Sequence, residues 1–388
     1  MSPPAPPRLR IAVLNRVFDS TGGGAERYSI ALVEQLAQRH EVHVFAQQIH
    51  HQAPGVSYHQ VAMPMRKPRW LNQLWYAFAT WKATREGFDI VHSHENTWHG
   101  QIQTVHVVPV RHNLFQGRTG LRRVLRWLKV LTSPRLLTYL CLERLRFRPT
   151  PGRRVVVTSE SLADTVAATY PDSQGMTHVI TPGVHLPALP GGAGSKAQAR
   201  QALGLPAGGL CLLFVGNDYR KKGLATLLQV LAELPGQVVL AVVGNPAHIP
   251  EFQRQAEALG LAARVFFLGA LQDVSPAYRA ADALVHPTLE DTFAMVVLEA
   301  MAHALPVVVS SPAFCGISAL LNHGVNALLV DQPRSAHALR EAVGRVCGEE
   351  DLRRQLGAQA RLFAQGYGWE DIARQQEALY FASVASSS

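Results

Sequence analysis

Two carboxylates eight positions apart, Asp291 and Glu299, frame the stretch of this sequence with the most chemistry in it. The run His286-Pro287-Thr288-Leu289-Glu290-Asp291 reads as the end of a strand and a loop. A helix starting near Phe293 or Ala294 then carries Glu299 on its second turn. Backbone N–H groups at a helix start have no partner inside the helix and can hold a phosphate. Eight helical steps span at most about 12 Å, the scale of a nucleotide sugar from ribose to hexose. One acid could hold ribose hydroxyls while the other meets the sugar. The competing reading is an amphipathic helix with two solvated acids. The long apolar run around Glu299 counts against it, because an unpaired carboxylate is costly inside a core.

A second group has complementary charge. Val215-Gly216-Asn217-Asp218-Tyr219-Arg220-Lys221-Lys222-Gly223 follows one strand and precedes a helix. Cations beside an exposed helix start form a diphosphate site, and positive charge there would stabilise a departing diphosphate. A solvated basic turn is the plain alternative. The loop Thr21-Gly22-Gly23-Gly24-Ala25-Glu26-Arg27 allows close approach of backbone to a ligand, or is a tight strand–helix turn. Its glycines do not follow Gly-x-Gly-x-x-Gly, which disfavours a dinucleotide-dependent dehydrogenase. Five histidines, His92, His94, His99, His106 and His112, fall close together in sequence. Strand alternation puts His92 and His94 on one face, but no third ligand is assured, so no metal is expected.

The elements that must position these residues alternate between strand and helix. Apolar runs at Ile11–Asn15, Glu41–Ala46, Phe88–His94, Gln103–Val108 and Arg154–Ser159 are separated by helical stretches. After a Gly/Pro-rich break, the pattern restarts at Cys211–Gly216, Val238–Gly244, Arg264–Gly269, Ala283–Pro287, Pro306–Ser310 and Ala327–Val330. Alternation of this kind implies parallel sheets covered on both faces. The expected organisation is a loose tail (1–9), a first domain (10–182), a linker (183–209) and a second domain (210–368). A terminal helix and tail (369–388) would cross back to the first domain. Both domains are expected to be doubly wound and Rossmann-like, facing each other across a cleft that holds the site. Open parallel sheets bind ligands at their carboxyl edges.

The chain has 388 residues, 47% of them hydrophobic and 17% charged, which is enough for two cores and too little charge for general disorder. Its four cysteines, Cys141, Cys211, Cys315 and Cys347, lack metal or disulfide spacing and fit a reducing compartment. The Pro-rich start has no apolar signal core, and no apolar run is long enough to span a bilayer. The net charge of +9 is concentrated: Arg111–Arg154 holds twelve Arg and Lys against one acid, Glu143. The cations there are interleaved with Leu, Trp127, Tyr139 and Phe147, as in helices that lie on anionic membranes. Met65–Arg85, with three Trp, could extend that surface. The plain reading is a solvated basic face, and no recognition motif supports RNA binding.

The segment from Asp291 onward resembles the acid-x7-Glu motif of retaining glycosyltransferases of the GT-B fold, family 4. That family usually has Glu-Gly-Phe-Gly before the helix and Glu-Ala-Met-Ala-x-Gly-x-Pro-Val-Val within and after it. Here Glu299-Ala300-Met301-Ala302 and Pro306-Val307-Val308 match, while Asp291 replaces Glu and Thr292, Ala294 and Ala304 replace glycines. Lys221-Lys222-Gly223 resembles the family's Arg-Lys-Gly, with Asn217 where many members have Arg. Gly23-Gly24-Ala25-Glu26-Arg27 resembles its Gly-Gly-Ala-Glu-Arg loop. Within the family the likeness is nearest to bacterial lipopolysaccharide core glucosyltransferases, which also carry a basic membrane-contacting segment.

The resemblance implies retaining, metal-independent transfer of a hexose from a nucleotide sugar, with UDP-glucose the expected donor and no cofactor. Glu299 and the backbone of Phe293, Ala294, Met295 and Val296 would hold the nucleotide. Lys222, helped by Lys221, would neutralise the leaving diphosphate, near Asn217, Gly23 and Gly24. Asp291 and His106 would position the hexose. The acceptor would be a saccharide or glycolipid of the lipopolysaccharide core or another surface glycan. The expected location is the inner face of the cytoplasmic membrane, bound peripherally, with no nucleic-acid partner. The alternatives are a nucleotide-sugar epimerase, a sugar phosphorylase, or a membrane-associated relative whose degenerate site binds without transfer.

Overall fold

The computed structural model describes residues 7–19, 22–188 and 193–387. The chain divides into two compact units. Unit 1 runs to Thr181 and takes in the chain from Trp369 onward; unit 2 runs from Pro182 to Gly368.

Unit 1 contains, in chain order, β1 (Arg10–Leu14), a short β2 (Val17–Phe18), α1 (Gly24–Leu36), β3 (Glu41–Ala46), a short β4 (Gln48–Ile49), β5 (Val56–Gln60) and α2 (Arg69–Thr84). Next come β6 (Ile90–Ser93), β7 (Ile102–Val105), α3 (Val110–Phe115), α4 (Gly120–Leu131), α5 (Pro134–Arg146), β8 (Arg154–Val157), α6 (Glu160–Thr169) and β9 (Thr177–Val179). Seven strands form one sheet in the order β5-β3-β1-β6-β7-β8-β9, paired in parallel throughout. The central strands are buried on both faces, as a helix-covered parallel sheet requires, with polar His92, Ser93, Gln103 and Thr104 among the buried residues of β6 and β7. The winding direction reverses between β1 and β6, and ligands bind such sheets at the carboxyl ends beside a reversal.

Unit 2 contains α7 (Ala193–Ala202), β10 (Leu210–Val215), α8 (Leu224–Glu233), β11 (Val238–Val243), α9 (Ile249–Ala258), β12 (Val265–Gly269), α10 (Ser275–Ala280) and β13 (Ala283–His286). It continues with α11 (Met295–Ala302), β14 (Val307–Ser310), β15 (Leu328–Val330), α12 (Ala336–Gly348) and α13 (Glu350–Gln365). Its six strands run in the order β12-β11-β10-β13-β14-β15, again all parallel. The reversal lies between β10 and β13, so the loops leaving those two strands, 216–223 and 287–294, meet at the position where such folds bind ligands. The final helix, α14 (Trp369–Ser387), packs on α1 in unit 1.

Three expectations change. The stretch 183–209 is not all linker. Residues 189–192 lie outside the described residues, but α7 is a helix packed on α10, and Lys196 and Arg200 both reach the Asp282 carboxylate at 2.6 Å. Glycines on either side conceal that helix in the sequence. The ordered chain also starts before residue 10, since Leu9 is buried and donates its N–H to His40 Nδ1 at 3.2 Å. Residues 1–6 of the expected tail lie outside the described residues.

The third change concerns α4. Its apolar stripe, Leu121, Val124, Leu125, Leu128 and Leu131, faces outward with exposures of 54–72%, while Val130 on the opposite side is fully buried. The basic excursion is therefore not an ordinary helix with its apolar face packed in. It is anchored through α5, where the Glu143 carboxylate accepts the N–H groups of Val110 (2.6 Å) and Arg111 (3.0 Å) and the Tyr170 hydroxyl (2.8 Å). Buried Arg146 donates to Gln103 Oε1 and to the Thr104 carbonyl. Among the described residues no helix is long and apolar enough to cross a membrane.

Candidate active site

In unit 2 the two loops at the β10/β13 reversal are joined by backbone. Leu289 donates its N–H to the Lys221 carbonyl at 2.7 Å. Gly223 makes the approach possible: its φ is +79°, and a Cβ there would lie 2.1 Å from the Pro287 carbonyl oxygen. The preceding loop is turned by Asp218, whose side chain accepts the Lys221 N–H at 3.0 Å and whose carbonyl accepts the Lys222 N–H at 2.9 Å.

This contact brings Lys222 to Asp291. Lys222 Nζ lies 2.5 Å from Asp291 Oδ2 and 3.2 Å from the Glu290 carbonyl oxygen. Buried His286, the last residue of β13, places Nε2 3.2 Å from the same Oδ2, and the Phe293 N–H donates to Oδ1 at 3.3 Å. Burial alone would raise the Asp291 carboxyl. The His286 hydrogen bond and the Lys222 charge outweigh it and hold the carboxyl well below its usual range. Burial pushes the His286 imidazole down, more than the bond to Asp291 raises it, so His286 is a neutral donor to an ionised Asp291. The main chain of Asp291 is fixed too, accepting from the Gly316 N–H (3.0 Å) and donating to the Phe314 carbonyl (2.8 Å). A carboxylate has about four acceptor positions, and three are used here, leaving Asp291 room for one ligand hydroxyl.

Glu299 has different partners. The buried Tyr278 hydroxyl donates to Glu299 Oε2 at 2.6 Å, and the Tyr278 ring stacks on His303 at 4.9 Å between centroids. His303 Nδ1 lies 2.8 Å from the Glu299 carbonyl oxygen. The helix begins at Met295, one or two residues later than expected; Phe293 and Ala294 are buried and Met295 and Val296 half-buried. Lys221 is exposed, 3.4 Å from Glu290, and Asn217 is exposed at the start of the loop. Tyr278 and His303 are absent from the sequence reading, and His286 enters it only as the end of a strand; Tyr278 reaches Glu299 from 21 positions away.

In unit 1, Gly23 caps α1 in an extended conformation and Gly24 is its first residue; Thr21 of the same loop lies outside the described residues. His106 follows the end of β7, with Nε2 3.0 Å from His94 Nδ1 and the Tyr28 ring 5.1 Å away edge-on. His92 and His94 do share a face, with ring centroids 4.3 Å apart. Their neighbours are aromatic rings and hydroxyls, and among the described residues no cluster of three His, Cys, Asp or Glu could hold a metal ion. His99 and His112 stand apart from this group, His112 pairing with Thr169 at 3.3 Å.

Two family models divide the chain between them. One, for glycosyltransferase family 4, matches residues 22–187, and the other, for glycosyl transferases group 1, matches residues 195–363. Both models describe glycosyltransferases, one matching the first part of the chain and the other the second. Among solved structures, the fold is similar to WaaG, described as a glycosyltransferase involved in lipopolysaccharide biosynthesis, with a TM-score of 0.81 and 22% identity over 94% of this chain and 98% of that one. It is also similar to sucrose-phosphate synthase from Thermosynechococcus elongatus, with a TM-score of 0.78 and 25% identity over 97% of this chain and 100% of that one. Curated relatives include the D-inositol 3-phosphate glycosyltransferase of Xylanimonas cellulosilytica, 31% identical over 56% of this chain and 54% of the relative. The chain thus spans about half the length of the curated relatives it matches.

Unit 2 keeps a backbone its side chains do not favour. Ala294 (φ +73°) and Ala304 (φ +58°) stand where the family usually has glycine, and they are the two non-glycine residues with positive φ among those described. Ala304 closes α11 in a left-handed turn, with the Leu305 N–H donating to the Ala300 carbonyl at 3.0 Å. A left-handed alanine costs roughly 1–2 kcal/mol, and the greater unfolded-state freedom of glycine takes back about half of that. Ala304→Gly is therefore expected to stabilise unit 2 by about 0.5–1 kcal/mol. Thermal melts should show a rise of roughly 1–3 °C; a fall would mean the turn is not strained.

Proposed function

We propose that this protein transfers a hexose from a nucleotide sugar to a glycolipid or saccharide acceptor. The observation that carries the reading is the Lys222–Asp291 pair, 2.5 Å apart, held beside the start of α11 at the sheet reversal of unit 2. Glu299 and the first amides of α11 hold the nucleotide, as an acid and a helix start are suited to do. Asp291 directs its remaining acceptor position to a hexose hydroxyl. Lys222, with Lys221 behind it, meets the diphosphate as negative charge builds on it, so the stabilisation is greatest in the transition state. Transfer retains configuration: the acceptor hydroxyl attacks on the face the diphosphate leaves and its proton passes to a phosphate oxygen. The cationic side chains carry the charge that a divalent ion would otherwise balance. Support for a uridine donor comes from Anabaena HepE, a similar fold with a TM-score of 0.76 described in complex with UDP and glucose.

The acceptor is proposed to be membrane-borne, on the strength of α4. Its outward apolar stripe lies beside exposed Arg122, Arg123 and Lys129, and exposed Trp75, Phe78 and Trp81 lie on α2, which packs on α5. An apolar face with flanking cations fits an anionic bilayer surface. Replacing Leu125 and Leu128 together with Asp should weaken co-sedimentation with anionic phospholipid vesicles at least about tenfold. Unchanged binding would remove α4 from the contact. A phosphorylated inositol acceptor is the second reading, favoured by the names of the sequence relatives.

A panel of nucleotide sugars tested by thermal stabilisation decides the donor. A ligand at a hundred times its dissociation constant adds about 2.7 kcal/mol of stability. UDP-glucose is expected to raise the melting temperature most. No shift with any nucleotide sugar would refute the proposed function.

A further inference from the structure

Within unit 2 the Asp291 carboxylate has two side-chain partners of different mobility. Lys222 comes from the 216–223 loop on a flexible four-carbon stem and is one-fifth exposed. His286 is the last residue of β13, a strand paired on both sides in the middle of the sheet, and its imidazole is 1% exposed. Both reach the same oxygen, Oδ2, Lys222 at 2.5 Å and His286 at 3.2 Å, while Oδ1 takes the Phe293 N–H. If Lys222 leaves, Oδ2 keeps one donor. If His286 is also lost, Oδ2 keeps none.

Lys222 is the partner that can leave. At 2.5 Å from Asp291 its charge is already balanced, and a diphosphate arriving beside the pair competes for it with several negative charges. Of its three N–H groups, two are used on Asp291 and on the Glu290 carbonyl. Pairing with phosphate oxygens draws Nζ off Oδ2 and empties an acceptor position there. The main chain of Asp291 does not follow, since Phe314 and Gly316 hold it.

We infer that His286 is a positioning residue for the donor sugar: from Nε2 it holds the Asp291 carboxylate in place while Lys222 turns to the diphosphate, and the position Lys222 leaves on Oδ2 opens to a hexose hydroxyl. This rests on the proposed reading of Lys222 and Asp291 as the diphosphate and hexose contacts. The bond also fixes the tautomer. An ionised carboxylate only accepts, so the proton sits on Nε2. Nδ1, buried with no hydrogen-bond partner among the described residues, is a bare lone pair, which is cheaper to orphan than an N–H.

Two-bond proton–nitrogen correlation on wild-type protein labelled with 15N-histidine reads that tautomer, the His286 signals being those lost in His286→Gln. A proton on Nε2 alone is expected, with and without UDP. A proton on Nδ1 alone would overturn the bond to Asp291 and the positioning role with it. Calorimetric titration with UDP and with UDP-glucose, without acceptor, then separates the two contacts. The wild type is expected to bind UDP-glucose about tenfold tighter than UDP, the increment coming from the hexose. His286→Phe keeps a ring in the space but has no N–H. It should bind UDP as before and lose the increment, and His286→Gln, with an amide N–H near the lost Nε2–H, should recover most of it. Lys222→Ala should weaken both ligands by a similar factor and keep the increment. An unchanged increment in His286→Phe would refute the inference alone. So would an equal loss of affinity for both ligands there, the mark of a merely loosened unit 2. A wild type that binds neither ligand would refute the donor reading and the inference with it.

Discussion

Lys222→Ala is expected to lower turnover by about 10²–10³ while unit 2 stays folded. Removing one preorganised charge aimed at a developing oxyanion has an effect of that size. The fold survives because Lys222 is not the sole partner of Asp291: the His286 imidazole at 3.2 Å and the Phe293 N–H at 3.3 Å remain. The loss should appear mainly in kcat, since the charge matters most when the diphosphate departs. Lys222→Arg should recover part of the rate, keeping charge but not the reach that lets Nζ contact both Asp291 and the Glu290 carbonyl. Steady-state release of nucleoside diphosphate measures both variants. Near-normal turnover in Lys222→Ala would refute the leaving-group role.

Asp291→Asn should affect both stability and rate. The folded-state carboxyl is held below its usual range, so the contribution of Asp291 to stability is complete above the unfolded-state value of about 3.9 and is lost as pH falls from there toward the folded-state value. At pH 7 the asparagine variant should be less stable than wild type by roughly 2 kcal/mol, because the amide leaves the Lys222 charge without its partner. Near pH 3 the gap should narrow, because the unfolded wild-type chain begins to take up a proton at Asp291 that the folded state still excludes. Denaturant melts at the two pH values check this, and an equal gap at both would show that the Lys222–Asp291 pair contributes nothing to folding. Turnover should fall as well, because Asn cannot accept a sugar hydroxyl with a full charge.

Much of this was legible in the sequence, for reasons that differ from one element to the next. β10 and β13 are short apolar runs buried in the middle of a parallel sheet, where strand length and composition leave few alternatives. The strand–loop–helix course from His286 to Glu299 followed from those same signals. What the sequence could not show is which charges meet. Lys222 and Asp291 are 69 positions apart and join because Gly223 lets one loop close on Pro287. Tyr278 reaches Glu299 from another helix, and nothing in its local sequence marks it. The direction of α4 was hidden for a different reason. Periodicity identifies an apolar stripe but not the side of the helix that packs, and here buried Val130, opposite the stripe, is what packs. The departures from the family's glycines were visible, but their cost was not. Only φ at Ala294 and Ala304 shows that the glycine backbone is kept without glycine.

The central claim is that the Lys222–Asp291 loops of unit 2 serve sugar transfer from a nucleotide donor. It is tested most directly by the nucleoside diphosphate released from the nucleotide sugar that best stabilises the protein, measured with and without a panel of glycolipid and saccharide acceptors. The prediction is slow release alone, a large increase with at least one acceptor, an equal amount of glycosylated product, and loss of that increase in Lys222→Ala. Release that no acceptor accelerates, or acceleration that survives the loss of Lys222, would contradict it.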